Sequence, residues 1–148
     1  MNIKLKEITK DNLIDIFKLK VKQHQKTFVS PNVYSIAESK VYDNFSPKAI
    51  YAGEALVGFL MYGTNPEKEN EVWIIRLMVD EQFQGRGFGK QAMLVAIELL
   101  KQIYNPPAIY LSFEPGNELA KNFYHSLGFK DTGEILYGEL VHRLDLEN

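Results

Sequence analysis

Three glycines within five residues, Gly85-Arg86-Gly87-Phe88-Gly89, stand between a stretch that reads as a strand and one that reads as a helix. No other part of the chain restricts its fold as much. Before them, Val72-Trp73-Ile74-Ile75-Arg76-Leu77-Met78-Val79 is β-branched and aromatic, the composition of a buried strand. After them, Gln91 to Tyr104 is amphipathic, with Met93, Ala96, Ile97, Leu100 and Tyr104 along one stripe. A helix start leaves backbone N–H groups without intrahelical partners and carries the positive end of the helix dipole. Closely spaced glycines let that backbone approach a ligand, and Arg86 and Lys90 add positive charge. The local physics is that of a phosphate or pyrophosphate seat; the alternative is a glycine-rich turn that holds nothing.

Two familiar seats are excluded. A P-loop needs four residues between its glycines and then Lys-Ser/Thr, whereas three separate Gly85 from Gly89 and Gln91 follows Lys90. The dinucleotide fingerprint G-x-G-x-x-G fails as well, because the spacing is G-x-G-x-G. The pattern Gln/Arg-x-x-Gly-x-Gly/Ala, carried by Gln84, Gly87 and Gly89, resembles the signature of the Gcn5-related N-acetyltransferase (GNAT) family. A second stretch, Asn117-Glu118-Leu119-Ala120-Lys121-Asn122-Phe123-Tyr124-His125-Ser126-Leu127-Gly128-Phe129, is similar to the family's Asn-x-x-Ala-x-x-x-Tyr-x-x-x-Gly-Phe region. Together the two motifs run from about Trp73 to Phe129. Further similarity, in Gln25 to Asn32, Ser35 to Glu38, Arg76 to Asp80 and Ser112 to Asn117, is to the bacterial spermine/spermidine acetyltransferase-like members.

The resemblance implies an α/β fold. Its mixed central sheet would have antiparallel N-terminal strands, one parallel β-α-β crossover and flanking helices. It also implies acetyl-CoA as cosubstrate. The cofactor-binding positions carried over are Leu77, Met78 and Val79 on the strand, Gln84, Gly85, Arg86, Gly87, Phe88, Gly89 and Lys90 at the loop, and Asn117, Ala120 and Tyr124 beyond it.

At 148 residues the chain is expected to be one domain, 1–148, burying about two thirds of its unfolded surface. No apolar run approaches the roughly 20 residues that cross a bilayer. The opening Met1-Asn2-Ile3-Lys4 lacks the apolar core of a secretory leader. With no cysteine, thiolate nucleophiles and thiolate metal sites are excluded, and a cytoplasmic location fits. No His/Asp/Glu spacing suggests a metal. A net charge of −2 argues against a nucleic-acid partner and is compatible with a cationic small molecule. The chain is expected to act alone or as a homodimer on a small-molecule amine, without a membrane partner.

In order, Asn2 to Ile8 reads as an edge strand. Thr9 caps a helix burying Leu13, Ile16, Phe17 and Val21, and Ser35 caps a second with Ile36, Ala37, Val41 and Tyr42 apolar. Lys48 to Ala52 and Ala55 to Tyr62 form a hairpin at Gly53-Glu54, and Gly58 marks a bend or close backbone approach. Thr64 to Asn70 is a polar turn. Asn105-Pro106-Pro107 ends the crossover helix, and Ala108 to Phe113 is a strand parallel to Val72–Val79. A helix ends at Leu127 with Gly128 as its C′ residue, and Lys130 to Leu146 makes two antiparallel strands turning near Tyr137-Gly138-Glu139. A β-α-β unit opens its crevice beyond the carboxyl ends of its two strands, where both motif loops fall.

Helical spacing puts Asn117, Ala120 and Tyr124 on one face, with Leu119, Phe123 and Leu127 on an adjacent core-facing stripe. The polar-small-phenol face suits a thin pantetheine arm, and Tyr124 would be the general acid that protonates a departing thiolate. Without a cysteine, direct attack in a ternary complex is the economical route. A backbone N–H near Met78 or Val79 would hold the oxyanion if the strand splays or bulges there. Some polyamine-acting members of the family carry a carboxylate at the position of Ile75, which does no acid–base work. Glu71, Glu114, Glu38 and His24 are the substitutes, with Glu114 placed first because it ends the second crevice strand. Three functions stay open: a polyamine N-acetyltransferase, the same chemistry on a protein N-terminus or lysine, and a non-catalytic acyl-CoA-binding module.

Overall fold

Alternating Ile3 and Leu5 turn one side of β1 (Ile3–Glu7) inward, and β1 runs antiparallel to β2 (Phe45–Ala52) at the edge of the sheet. The computed structural model of the protein describes residues 2–146; Met1, Glu147 and Asn148 lie outside them. β2 turns at Gly53-Glu54 into β3 (Ala55–Asn65), and β3 turns into β4 (Lys68–Val79). α3 (Phe88–Tyr104) then crosses over to β5 (Ala108–Phe113), which pairs parallel to β4. β6 (Lys130–Leu136) and β7 (Glu139–Asp145) follow, with β7 inserted between β5 and β6. The sheet has seven strands in the order β1-β2-β3-β4-β5-β7-β6. This is the mixed α/β sheet expected from the sequence.

Each face of the sheet has its own core. α1 (Leu13–Lys18) and α2 (Asn32–Val41) cover one, over Ile16, Ala49, Phe59, Met61 and Met78. α3 covers the other, setting Ala92, Met93, Ala96, Ile97 and Leu100 against Ile50, Leu60, Ile74 and Ile109. α4 (Glu118–Ser126) joins that side through Ala120, Phe123 and Tyr124. α3 stops at Asn105, which takes φ 46°, a left-handed conformation Asn tolerates, and Pro106-Pro107 cannot continue it.

Gly58 sits opposite Val79, where a Cβ would lie 2.3 Å from the backbone oxygen of Met78. The close approach read from the sequence is therefore real, and the obstacle is backbone that cannot swing away. Gly58→Ala is expected to destabilise the fold by about 3 kcal/mol, the upper end for overpacking. Chemical denaturation measures it, and an unmoved midpoint would contradict the packing described.

The feature that shapes the molecule is a parting of β4 from β5. They pair only at Val72–Ile109 and Trp73–Tyr110, after which β5 stays with β7 along its whole length and β4 stays with β3. At the same level β4 bulges: Met61 pairs with Arg76 and Tyr62 with Ile74, leaving Ile75 as an extra residue. Near Met78 and Val79, where the oxyanion role depended on a splay or a bulge, the strand is splayed from β5, and the bulge lies at Ile75. It resets the alternation of side chains. Ile74 and Leu77 pack on the α3 side, while Ile75 and Met78 pack on the α2 side and Arg76 reaches Glu38 of α2.

Several local expectations are corrected. The first helix has Asn12 rather than Thr9 at its N-cap position, with the Asn12 side chain accepting from Thr9 N–H instead of from the helix, and it ends at Lys18, so Val21 lies outside it; Phe17 is 38% exposed. The second begins at Asn32 behind Pro31, whose fixed φ opens a helix well, and Ser35 is buried within it. Val41 and Tyr42 are exposed rather than core. β4 starts at Lys68, absorbing most of the polar turn, and α3 starts at Phe88, so Gly89 and Lys90 are helical. Leu119 faces solvent, because α4 packs through Ala120, Phe123, Tyr124 and Leu127, one turn of spacing that leaves Leu119 out.

Candidate active site

Where β4 and β5 part, a cleft of about 590 Å³ opens between the two half-sheets. Its floor is made by Trp73 to Leu77 and Leu111 to Phe113; one wall is Asn117, Ala120 and Tyr124 of α4. The opposite side is closed by Phe28 to Ser30 with Tyr34 and Glu38 of α2. Among the expected cofactor positions, Leu77, Asn117, Ala120 and Tyr124 line this cleft. Met78 does not: it is buried on the α2 face against the Ile16 cluster. Val79, the last residue of β4, and the stretch from Gln84 to Lys90 beyond that strand lie outside the lining.

Strand geometry decides which backbone groups face the gap. Asp80 N–H donates to Val57 C=O (2.8 Å), so this N–H and, two residues back, that of Met78 point toward β3. Those of Leu77 and Val79 therefore point away from β3, into the space β5 has vacated. The N–H of Met78, one of the two expected to hold an oxyanion, is thus turned away, whereas that of Val79 faces the gap.

The glycine loop follows. Gly85 and Gly87 take φ of 80° and 82°, a region L side chains rarely enter, and no protein atom lies near where a Gly85 Cβ would be. Gly87 is the N-cap of α3. The first intrahelical bond, Gln91 N–H to Gly87 C=O (3.1 Å), leaves the N–H groups of Phe88, Gly89 and Lys90 without helical partners. Arg86 and Lys90 are exposed, Arg86 lying over the Phe83 ring at 5.5 Å. Gly89 differs from its neighbours: it has helical backbone, and a Cβ there would meet Val79 and Phe123 at the ordinary contact distances of 3.6 and 3.7 Å. Gln84 spends its amide within the protein, exchanging bonds with Gln25 (3.0 and 3.2 Å) and donating to Val79 C=O (2.9 Å).

On α4, Asn117 is the N-cap, and its Oδ1 accepts from Ala120 N–H at 3.2 Å. Only its NH₂ is left for a ligand. Gly128, at φ 100°, donates to His125 C=O (3.0 Å) and Phe129 N–H to Tyr124 C=O (3.1 Å), the paired bonds of a Schellman end. Tyr124 is held by rings on three sides, Phe113 stacked at 5.8 Å, Phe123 at 5.1 Å and Phe129 edge-on at 5.9 Å. Burial pushes its phenol up to about 12, so it carries its proton at any physiological pH.

The cleft's charges are Glu38, Glu67 and Glu139 against one cation, Arg76, among the described residues. Arg76 binds Glu38 at 2.9 Å and its own neighbour's carbonyl, that of Ile75, at 2.9 Å. Glu139 accepts from Ser112 Oγ at 2.7 Å. Glu114, placed first as base, does not line the cleft. Glu71 is engaged by Asn65, Trp73 and Lys68, and His24 is exposed. Of the four substitutes only Glu38 reaches the cleft. His142, buried behind Phe113 at 4.5 Å, shares a 3.1 Å Nε2–Nε2 contact with exposed His125; burial lowers its pKa, and neither lines the cleft. No group of three or more potential metal ligands occurs among the described residues. Among the described residues, no helix is long and apolar enough to cross a membrane.

Sequence reasoning missed the Glu38–Arg76 pair, the Ser112–Glu139 pair and the Gln25–Gln84 exchange. All join residues far apart in the chain through the bulge and the strand order, which no local pattern encodes.

A parted parallel strand pair with a helix N-terminus at its mouth and a phenol in the gap defines a class of acyl-group transferases. The Acetyltransferase (GNAT) family model matches residues 13–129, and the chain belongs to that family. It is 35% identical to a spermine/spermidine N(1)-acetyltransferase of Bacillus subtilis, over 95% of this chain and 97% of that protein. Two solved structures share the fold. One, a Bacillus subtilis acetyltransferase in complex with CoA, has TM-score 0.73 and 22% identity, with 99% of each chain covered. The other, the Vibrio cholerae spermidine N-acetyltransferase in complex with CoA and spermine, has TM-score 0.75 and 16% identity, with 96% of this chain and 93% of that one covered.

Proposed function

We propose that the protein transfers the acetyl group of acetyl-CoA to a primary amine of a small polyamine, by direct attack in a ternary complex. The observation that carries this reading is the gap between β4 and β5, with N–H groups of β4 on one side and the protonated Tyr124 on the other. The unpartnered N–H groups of Phe88, Gly89 and Lys90 receive the diphosphate, helped by Arg86 and Lys90. The N–H of Val79 holds a pantetheine amide as an added strand would, and the NH₂ of Asn117 gives a further bond. Ala120 leaves room for the arm.

The amine enters past α2, where the carboxylates outnumber the cation. Glu38 takes the place of Glu114 as the group that receives the ammonium and its proton; its Oε1 is committed to Arg76, which leaves the other oxygen for the acceptor. The neutral amine then attacks the acetyl carbon, and the N–H of Leu77, which faces the gap and lines the cleft, stabilises the oxygen as charge develops. As the C–S bond breaks, Tyr124 gives its proton to sulfur and regains one from the nitrogen that formed the amide. The products are the N-acetyl amine and the free thiol, and the proton first taken by Glu38 leaves to solvent.

Thiol release measured with spermine, spermidine, simple monoamines and peptides tests the reading. Polyamines are expected to be the best acceptors. Preference for a peptide would favour an N-terminal or lysine acetyltransferase, and no turnover despite CoA binding would favour a binding module. Glu38→Gln keeps the shape that faces Arg76 but removes a charge. It is expected to lower kcat/KM for spermidine about tenfold or more, within the range for a charge-assisted bond, and to leave the KM for acetyl-CoA unchanged. An unchanged polyamine kcat/KM would remove Glu38 from the acceptor site.

A further inference from the structure

Between α1 and α2 the chain runs past the far end of β4 and is tied there at three points. Lys20 N–H donates to the Asp80 carboxylate (2.9 Å), and Glu81 N–H donates to Lys20 C=O (2.8 Å). Gln25 and Gln84 then exchange both amide hydrogen bonds, at 3.2 and 3.0 Å. The second N–H of Gln84 goes to Val79 C=O at 2.9 Å, and the oxygen of Gln25 also accepts from Lys22 N–H at 3.0 Å. Gln84 is thus fixed between the end of β4 and a residue 59 positions away.

The residues after Gln84 have little else to hold them. Gly85 has no protein atom near its absent Cβ, Arg86 is exposed, and the nearest atom to a Gly87 Cβ is 4.0 Å away. The direction in which the chain enters the glycines is therefore set at Gln84. The Val79–Asp80 peptide at the end of β4 is held from both sides, its C=O by the same amide and its N–H by Val57.

From this geometry we infer that Gln25 is a positioning residue for the acyl carrier. It touches no part of the carrier's seat itself; it fixes Gln84 against the end of β4, and Gln84 aims the glycine loop. The inference rests on the reading that this loop and strand hold CoA. Losing two neutral hydrogen bonds that order a binding loop corresponds to roughly tenfold in affinity.

Calorimetric titration with CoA tests it on the wild type, on Gln25→Leu, and on Asn12→Ala as a control. Asn12 bonds Thr9 and Glu7 at the opposite end of α1 and so reports generic loosening of the same region. Gln25→Leu is expected to bind CoA about tenfold more weakly and to raise the KM for acetyl-CoA alike, with kcat at saturation within about twofold and with Asn12→Ala unchanged in affinity. Equal CoA affinity in Gln25→Leu and the wild type overturns the inference while leaving the proposed function intact, as does an equal loss in the control. A wild type that binds no CoA overturns both.

Discussion

Tyr124→Phe is expected to lower turnover about 10²-fold while CoA affinity changes little, the magnitude of a lost general acid. The substitution removes one oxygen from a ring fixed by Phe113, Phe123 and Phe129, so the aromatic packing survives it. The sign of the pH effect follows from burial. Because the phenol is pushed up to about 12, it stays protonated far above neutrality, and its own ionisation adds no alkaline limb below about pH 10. Wild type and variant should therefore give rate profiles of the same shape between about pH 6 and pH 10, differing only in height. Equal turnover in the two proteins removes Tyr124 from the chemistry.

The second large effect is at Gly87. Gly87→Val is expected to abolish measurable CoA binding, a loss above about 10²-fold, because a β-branched side chain both resists φ 82° and fills the approach to the helix start. Backbone strain and ligand blocking are separated by Gly133→Val. Gly133 has the same φ, 82°, and open space around it, but lies on β6, far from the loop. Both variants should lose stability by similar amounts, and only Gly87→Val should lose CoA. Calorimetry and thermal unfolding on the pair distinguish the two causes, and retained binding in Gly87→Val contradicts the seat.

What the sequence made legible was local. Glycine spacing between a strand and a helix, the Gly53-Glu54 turn, the close approach at Gly58, the Gly128 end and the Asn117–Ala120–Tyr124 face are written in neighbouring residues, and the fold follows from them. The bulge at Ile75 was not legible, because it depends on how Met61 and Tyr62 of β3 register against β4. Arg76 and Glu38 were in view as separate residues; that the bulge turns one toward the other is a tertiary fact. Glu114 looked well placed at the end of β5, yet the chain turns there and takes it away from the cleft that Glu38 enters. Asn117 and Gln84 were read as ligand-binding amides, but each spends hydrogen-bonding capacity on the fold, Asn117 on its own helix and Gln84 on Gln25 and Val79.

A crystal structure with CoA would test the central claim most directly. The diphosphate should lie against the N–H groups of Phe88, Gly89 and Lys90, with the pantetheine along Leu77 and Val79 and the sulfur beside the Tyr124 hydroxyl. CoA bound anywhere else, or a gap between β4 and β5 filled by side chains when CoA is present, would contradict it.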